Sequence, residues 1–224
     1  MRPRRVVAVI GTGTDIGKTW VAARLLTELR AAGLHVTARK PAQSFEPDDD
    51  PAGLDAAVLG AATHEPPEQV CPTHRWYEVA MAPPMAAEVL GRPPFTIEDL
   101  VAEVRWPADM ADVGLVETAG GLRSPLAADG DCLDLCAALR PDVVVLVADA
   151  GLGTINAVRL TFDVLGPALD PSPTSLVVVL NRYDADMDLH RRNREWLQGR
   201  DGLTVVALPG DERALAALAG FVTG

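Results

Sequence analysis

The chain has 224 residues, of which 48% are apolar and only 4% aromatic, so one domain of this length must build its core from Val, Leu and Ala. Its formal net charge of −11 excludes nucleic acid or an anionic membrane as the main partner, because either would require a basic face. No stretch of the sequence is long and apolar enough for a membrane span. We therefore expect a single domain over residues 1–224 and a cytoplasmic protein.

The first apolar run, residues 6–10, leads into the loop Gly11-Thr-Gly-Thr-Asp-Ile-Gly-Lys-Thr19, and an Ala- and Leu-rich helical pattern follows it. This is the layout of a phosphate-binding loop: backbone N–H groups and a helix N-terminus surround the phosphates, Lys18 reaches the outer ones and the Thr19 hydroxyl binds Mg²⁺. Five residues, instead of the usual four, separate Gly11 from Gly17. The residues expected to contact the nucleotide phosphates are Gly13, Thr14, Asp15, Ile16, Gly17, Lys18 and Thr19.

A second lysine is predicted at the same edge of the sheet. Residues 34–39 are typical of a strand, and Pro41 cannot continue its hydrogen-bond ladder, so Lys40 lies at the strand tip. Asp55 begins an Ala-rich helical pattern and could place a carboxylate beside the Thr19 hydroxyl, where Mg²⁺ requires one. The aspartates at 48–50 are the alternative source of that carboxylate.

A third strand tip carries an acid. Residues 112–117 form a short apolar run that ends in Glu117, and Thr-Ala-Gly-Gly follows. An acid in this position beside a phosphate loop holds Mg²⁺ or one of its water ligands. Farther along, an amide at the end of the buried strand 175–180, Asn181, could read the edge of a base.

The rest of the chain alternates between strand and helix patterns. Residues 63–95 are irregular, with a short helix predicted within 81–90 after the proline pair 83–84, and a capping box opens a helix at Thr96. The later predicted elements are helix 131–139, strand 142–148, a glycine-rich turn at 149–156 with a helix to about 165, helix 190–197, strand 203–208 and helix 212–222. This alternation predicts an α/β fold with a doubly wound, mostly parallel sheet and helices on both faces, like the P-loop NTPases.

Several of these motifs resemble, in the same order, those of the dethiobiotin synthetases. They are the loop with its five-residue spacing, Lys40-Pro41, Glu117 with Ala119-Gly120-Gly121, the string Gly-Leu-Gly-Thr-Ile-Asn at 151–156, and Asn181. The string at 151–156 is the most specific of them, because generic phosphate-loop proteins lack it.

The resemblance implies an ATP- and Mg²⁺-dependent ligase that makes dethiobiotin from 7,8-diaminopelargonate and CO₂ in biotin biosynthesis. The diamine would form a carbamate, the γ-phosphate of ATP would activate it as a carbamic–phosphoric anhydride, and the second amine would close the ureido ring. The resemblance also implies a homodimer whose subunits share each active site.

Matching the motifs assigns a role to each candidate residue. Lys18 and Lys40 would stabilise the carbamate and the transferring phosphoryl group, with Thr14 as a further catalytic residue. Thr19, Asp55 and Glu117 would hold Mg²⁺. Thr14 and Ser44 would line the diamine site, and Gly153, Thr154, Ile155 and Asn156 would bind the carboxylate of the diamine across the dimer interface. Asn181, Pro209, Gly210 and Asp211 would surround the adenine.

The sequence departs from the family pattern at Phe45, Thr118, Arg182 and Tyr183, which bear on the substrate and base sites. The alternatives are a related ligase that activates a carboxylate, a ParA/MinD-like ATPase, or a nucleotide-binding regulator without activity. The first would carry a glutaminase domain, for which this length leaves no room. The second would carry an additional lysine early in the loop, which residues 12–16 lack.

Overall fold

The computed structural model describes residues 1–169, 174–209 and 212–224. The strands are β1 (Arg5–Gly11), β2 (Val36–Arg39), β3 (Gln43–Ser44), β4 (Trp76–Tyr77), β5 (Val113–Glu117), β6 (Pro125–Ala127), β7 (Gly130–Asp131), β8 (Val143–Asp149), β9 (Ser175–Asn181) and β10 (Val205–Ala207). The helices are α1 (Lys18–Ala31), α2 (Asp55–Thr63), α3 (Pro67–Val70), α4 (Pro83–Val89), α5 (Ile97–Glu103), α6 (Cys132–Leu139), α7 (Thr154–Leu169), α8 (Asp188–Gly199) and α9 (Glu212–Thr223). Within the described ranges, no helix has both the length and the apolar content needed to cross a bilayer.

Six strands form one parallel sheet in the order β10-β9-β8-β1-β5-β2. Because strand side chains alternate between faces, Val7 and Val9 pack with α1 and α9, whereas Ala8 and Ile10 pack with α6, α7 and α8. Helices therefore cover both faces, and the predicted doubly wound fold is confirmed. The carboxyl ends of all six strands lie at one edge, which is where open α/β sheets bind their ligands.

The segment between α2 and α5 is anchored by aromatic and ionic contacts. Tyr77 stacks on Phe95 with ring centroids 6.0 Å apart, and the Arg75 guanidinium lies 4.0 Å from the centre of the Phe95 ring. Arg75 also makes two hydrogen bonds of 2.8 Å to Glu103 on α5. Tyr77 and Phe95 also share a buried cluster with Val116 of β5, which holds the irregular part of the chain against the sheet, and residues 80–83 form part of the wall of the site.

Several local features differ from the sequence prediction, including the short helix α3. Helix α4 begins at Pro83 itself, because proline suits the first turn of a helix, where its missing N–H costs nothing. The two-residue strands β3 and β4 form a small parallel pair, and β6 and β7 form a hairpin. Both are too short to produce a hydrophobic period that a sequence pattern could reveal.

Glu65 covers the outer edge of β2, the last strand of the sheet on that side. Its Oε1 accepts hydrogen bonds from Thr37 Oγ1 (2.6 Å) and Arg39 Nη1 (2.8 Å), and its Oε2 accepts one from the Ala38 N–H (2.9 Å). Burial alone would raise the pKa of Glu65, but the hydrogen bonds from Thr37 and Arg39 outweigh it and lower this pKa. The carboxylate thus satisfies backbone and side-chain groups that an open edge would leave available for pairing with another chain.

Glu65→Gln is expected to lower the free energy of unfolding near pH 7 by about 2 kcal/mol, because the charged acceptor is lost and an amide N–H₂ faces existing donors. Since the folded-state pKa of Glu65 is lowered, its contribution is fully present above the ordinary carboxyl pKa and is lost as the pH falls through the folded value. Urea unfolding of both proteins at several pH values measures this. A difference between them that stays constant into the acid range would contradict the assignment.

Candidate active site

The phosphate loop connects β1 to α1 at the carboxyl edge of the sheet. Gly17 precedes the helix with φ of +85°, and Asp15 has φ of +55°, so the loop contains two left-handed residues. The Lys18 ammonium folds back and donates to the Gly13 carbonyl (3.0 Å). The free N–H groups at the start of α1 and the helix dipole give this end of the loop a partial positive charge suited to phosphate.

Gly17→Ala is expected to weaken nucleotide binding more than tenfold, since a Cβ on Gly17 would lie 2.2 Å from Asn181 Nδ2, and either the loop or the Asn181 side chain that bonds to the Ile16 carbonyl must shift. Gly33→Ala is the matched control: Gly33 also has φ of +85°, but a Cβ there would meet no heavy atom within 4 Å. Both variants carry the backbone strain of a left-handed alanine, about 1–2 kcal/mol, and only the first disturbs the loop. Calorimetric titration with MgATP compares them, and equal affinities for the two variants would contradict the prediction.

Four side chains from different elements meet beside the loop. The Lys40 ammonium lies 2.6 Å from Asp55 Oδ2 and 2.6 Å from Glu117 Oε1. The Thr19 hydroxyl lies 2.7 Å from Asp55 Oδ1 and 2.9 Å from Glu117 Oε1. The side chain of Lys40 is 3% exposed and that of Glu117 is fully buried, so these two charges are shielded from water, whereas the Asp55 side chain is 36% exposed.

Burial and charge act against each other in this cluster. Burial would lower the pKa of Lys40, but the carboxylates of Asp55 and Glu117 outweigh it and raise this pKa above its ordinary value. Burial raises the pKa of Glu117, whereas in Asp55 the attraction of Lys40 overcomes the burial and lowers the pKa. Burial, and then the charge of Lys40, lower the pKa of Lys18. The centre thus holds two cations and two carboxyl groups within reach of the phosphate loop.

The oxygens of this cluster fit a magnesium ion. Thr19 Oγ1, Asp55 Oδ1 and Glu117 Oε1 converge, and the buried Glu117 Oε2 makes no hydrogen bond with the described residues. Mg²⁺ takes oxygen ligands and usually combines one or two carboxylates with substrate phosphates. The described part of the chain holds no group of three or more His, Cys, Asp and Glu side chains arranged for a metal, so a cation here would also need the Thr19 hydroxyl and ligand oxygens.

The aspartates at 48–50 lie in the loop before α2, the helix that begins at Asp55. Asp49 accepts a hydrogen bond from the Glu46 N–H (2.8 Å), and Asp50 accepts one from the Ala52 N–H (3.0 Å). The structure therefore places Asp55, and not these residues, against Thr19.

A cavity of about 920 Å³ opens onto the phosphate loop and the charged cluster, a volume that suits a nucleotide and a small second substrate. Two buried polar atoms at its wall, Gln43 Nε2 and Ser44 Oγ, make no hydrogen bond with the described residues. Phe45 meets Trp76 edge-on at 6.5 Å and belongs to the wall, whereas the Thr118 hydroxyl turns away toward the Val9 carbonyl (3.4 Å). The cavity lining includes Thr14, Asp15, Gly17, Lys18, Thr19, Lys40, Ser44, Phe45, Asp55, Glu117 and Arg182.

The predicted carboxylate-binding turn lies outside this cavity. Gly153 has φ of +93° and open space around it, Thr154 is buried with no hydrogen bond to its Oγ1 among the described residues, and Asn156 is exposed. Asn193 on α8 supports the turn, because its Nδ2 donates to the Ala150 and Gly151 carbonyls at 2.9 Å each. Sequence reasoning missed Asn193, because the charged pattern of residues 190–197 gives no sign that this amide is buried.

The predicted base site is described in part. Asn181 lies at the end of β9 and donates from Nδ2 to the Ile16 carbonyl (2.8 Å), and Pro209 is exposed. Gly210 and Asp211 lie outside the described residues. Arg182, which departs from the family pattern, lies on the cavity wall and bonds to the phosphate loop; Tyr183 contacts His190 instead, with ring centroids 6.0 Å apart.

Known proteins resemble this chain in sequence and in fold. Residues 5–212 match the model of a family described as AAA domain. The chain is 38% identical over 161 residues to the ATP-dependent dethiobiotin synthetase BioD of Anaeromyxobacter sp. (strain Fw109-5), covering 72% of this chain and 70% of the relative. It is 36% identical over 209 residues to the enzyme of the same name from Haloferax mediterranei, covering 90% of this chain and 82% of the relative.

Two solved structures share the fold. A plasmid partition protein from Borrelia burgdorferi has a TM-score of 0.57 at 10% identity, covering 99% of this chain and 97% of its own. The MinC:MinD cell division protein complex of Aquifex aeolicus has a TM-score of 0.53 at 16% identity, covering 98% and 85%. At these identities the likeness describes the architecture alone.

Proposed function

Because the chain belongs to the family of ATP-dependent dethiobiotin synthetases, we propose that it closes the ureido ring of dethiobiotin from 7,8-diaminopelargonate and CO₂ with ATP and Mg²⁺. The observation that carries the proposal is the buried Lys40, held between Asp55 and Glu117 beside Thr19 at the mouth of the phosphate loop. The reaction handles a triphosphate and a carbamate, both anionic, so it needs the cations and aligned N–H groups that this cavity supplies.

The phosphate loop would bind the ATP phosphates through its backbone N–H groups. Lys18 would leave the Gly13 carbonyl, 3.0 Å away, for the outer phosphates, since its ammonium makes no ion pair within the described chain. In that position it would stabilise the charge on the γ-phosphoryl group as it moves to the carbamate oxygen.

Thr19, Asp55 and Glu117 would hold Mg²⁺. When bound, the metal would neutralise charge on the phosphates. Asp55 Oδ1 and Glu117 Oε1 both contact the Thr19 hydroxyl, so the fold itself brings the three donors together. This preorganisation lowers the cost of assembling the site.

Lys40 would stabilise the carbamate. Its ammonium lies on the cavity wall, and the two carboxylates beside it hold it protonated and in a fixed position. Thr14 and the Ser44 hydroxyl would complete the diamine side of the cavity, where Ser44 Oγ is buried and available for a hydrogen bond. No protein nucleophile is required.

A second copy of the chain would complete the substrate site. The turn at 153–156 lies outside the cavity of its own chain, and the adjacent Leu152 is 92% exposed. Leu160, farther along α7, is also exposed. A homodimer would cover these apolar side chains and would bring the turn to the carboxylate of the diamine bound in the other subunit. Asn181 and Pro209 would lie at the adenine end.

A ParA/MinD-like ATPase is the alternative class, and the partition and cell-division proteins share only the architecture with this chain. The relatives at 36–40% identity are named as synthetases, and residues 12–16 contain no lysine. Both facts favour the ligase.

The deciding experiment incubates the protein with 7,8-diaminopelargonate, bicarbonate, ATP and Mg²⁺ and detects dethiobiotin by mass spectrometry. Dethiobiotin and ADP are expected in equal amounts, and ¹³C-bicarbonate should add one mass unit to the product. Protein that binds ATP and is folded, yet forms no dethiobiotin, would overturn the proposal. Light scattering of the same sample tests the dimer.

A further inference from the structure

Two consecutive side chains at the end of β9 reach the phosphate loop together. In a regular strand, neighbouring side chains point to opposite faces, so Asn181 and Arg182 would normally diverge. Arg182 instead has φ of +56°, which breaks this alternation at the strand end. Both side chains consequently approach the loop from the same side.

The two side chains bond to two consecutive carbonyls of the loop. Asn181 Nδ2 donates to the Ile16 carbonyl at 2.8 Å, and Arg182 Nη2 donates to the Asp15 carbonyl. Arg182 Nη1 also donates to Asp149 Oδ2 at 3.2 Å, which braces the guanidinium against the end of β8.

These contacts fix the direction of two N–H groups. A trans peptide is planar, and its C=O and N–H point in opposite directions. With the carbonyls of Asp15 and Ile16 held toward β9, the N–H groups of Ile16 and Gly17 point the other way. Neither N–H makes a hydrogen bond within the described residues, and left-handed residues at 15 and 17 form the concave backbone that binds anions.

We propose that Asn181 and Arg182 are positioning residues that form a strand-end clamp, which orients the Ile16 and Gly17 N–H groups toward the nucleotide phosphates. The clamp acts through the loop and is independent of the base, so it strengthens the binding of any triphosphate. The inference deepens the proposed function and rests on it only for the premise that the loop binds a triphosphate.

A direct contact is the competing explanation. Arg182 lies on the cavity wall, and Asn181 keeps its Oδ1 free for a base within the described structure. If the two side chains contacted adenine directly, replacing them would weaken the binding of ATP and leave the affinity for a ligand without a base unchanged.

The experiment titrates MgATP, MgCTP and magnesium tripolyphosphate into wild type, Arg182→Ala and Asn181→Leu by calorimetry. Arg182→Ala is expected to weaken the binding of every ligand about tenfold, the scale of one net hydrogen bond, and Asn181→Leu is expected to weaken the binding of tripolyphosphate as well as that of ATP.

Arg192→Ala is the matched control, because it removes another exposed Arg–Asp pair, the one with Asp188 on α8. It should leave all affinities unchanged. The unfolding temperature of ligand-free Arg182→Ala should match that of Arg192→Ala.

Loss of ATP affinity with unchanged tripolyphosphate affinity would overturn the clamp in favour of base contacts, as would no loss of affinity in Arg182→Ala. If tripolyphosphate binds too weakly to measure, the ratio of the ATP affinity to the CTP affinity is compared between wild type and Arg182→Ala. A ratio that differs between the two proteins overturns the inference. Binding does not require turnover, so a failed dethiobiotin assay would refute the proposed function and leave this test intact.

Discussion

Lys40→Ala is expected to abolish ligase activity and to lower the free energy of unfolding by about 3–5 kcal/mol, because it leaves a buried charge without its partner. Lys40 Nζ lies 2.6 Å from both Asp55 and Glu117, and Glu117 has no exposed side-chain surface. Without the ammonium, two carboxylates would face each other around the Thr19 hydroxyl. Urea unfolding with the metal chelated measures the stability, and product mass measures the activity.

The double variant Lys40→Ala, Glu117→Gln separates the two effects. Replacing the buried carboxylate by a neutral amide of the same shape removes the uncompensated charge, so the double variant should recover part of the lost stability. It should remain inactive, because the cation for the carbamate is still missing. Full activity in Lys40→Ala would remove this lysine from the site, and unchanged stability would contradict the burial argument.

The architecture could be predicted from the sequence because its signals are local. The continuous apolar run that became β8 and the apolar face of α1 each identify one element, and their alternation predicts the doubly wound class. The order of strands in the sheet could not be predicted in the same way. The neighbours of β1 are β5 and β8, more than a hundred residues away along the chain, and such pairings leave no periodic pattern.

The part of the site that lies at the ends of strands could be predicted from the sequence. Lys40 comes directly after β2 and Glu117 is the last residue of β5, so the topology brings them to one edge. Asp55 lies on a helix after an irregular loop, and the path of that loop decides between it and the aspartates at 48–50. The hydrogen bond from Arg182 to Asp15 depends on one left-handed residue, which the arginine itself gives no reason to expect.

Lys18→Ala is expected to lower kcat/KM about a thousandfold with little loss of stability, because its charge is needed only when phosphate is bound. Lys18 donates to the Gly13 carbonyl and makes no ion pair among the described residues. Burial lowers the pKa of its ammonium, and Asp55 and Glu117 keep their ion pairs with Lys40, so alanine at position 18 leaves neither carboxylate without its direct partner. Steady-state kinetics and urea unfolding of the same preparation test both halves of this expectation.

Lys18→Arg is the control that keeps the charge. The guanidinium is planar and bulkier than the ammonium, and a Cβ built on Gly11 would already lie 2.9 Å from Lys18 Cδ, so the space around this side chain is narrow. We expect Lys18→Arg to remain at least a hundredfold impaired, since the charge must lie at the phosphoryl group and not merely near it. If Lys18→Ala lost as much stability as Lys40→Ala, the two lysines would share one structural role. We expect a loss of catalysis alone for Lys18, and of catalysis and stability for Lys40, because Asp55 and Glu117 form ion pairs with Lys40, whereas Lys18 forms none among the described residues.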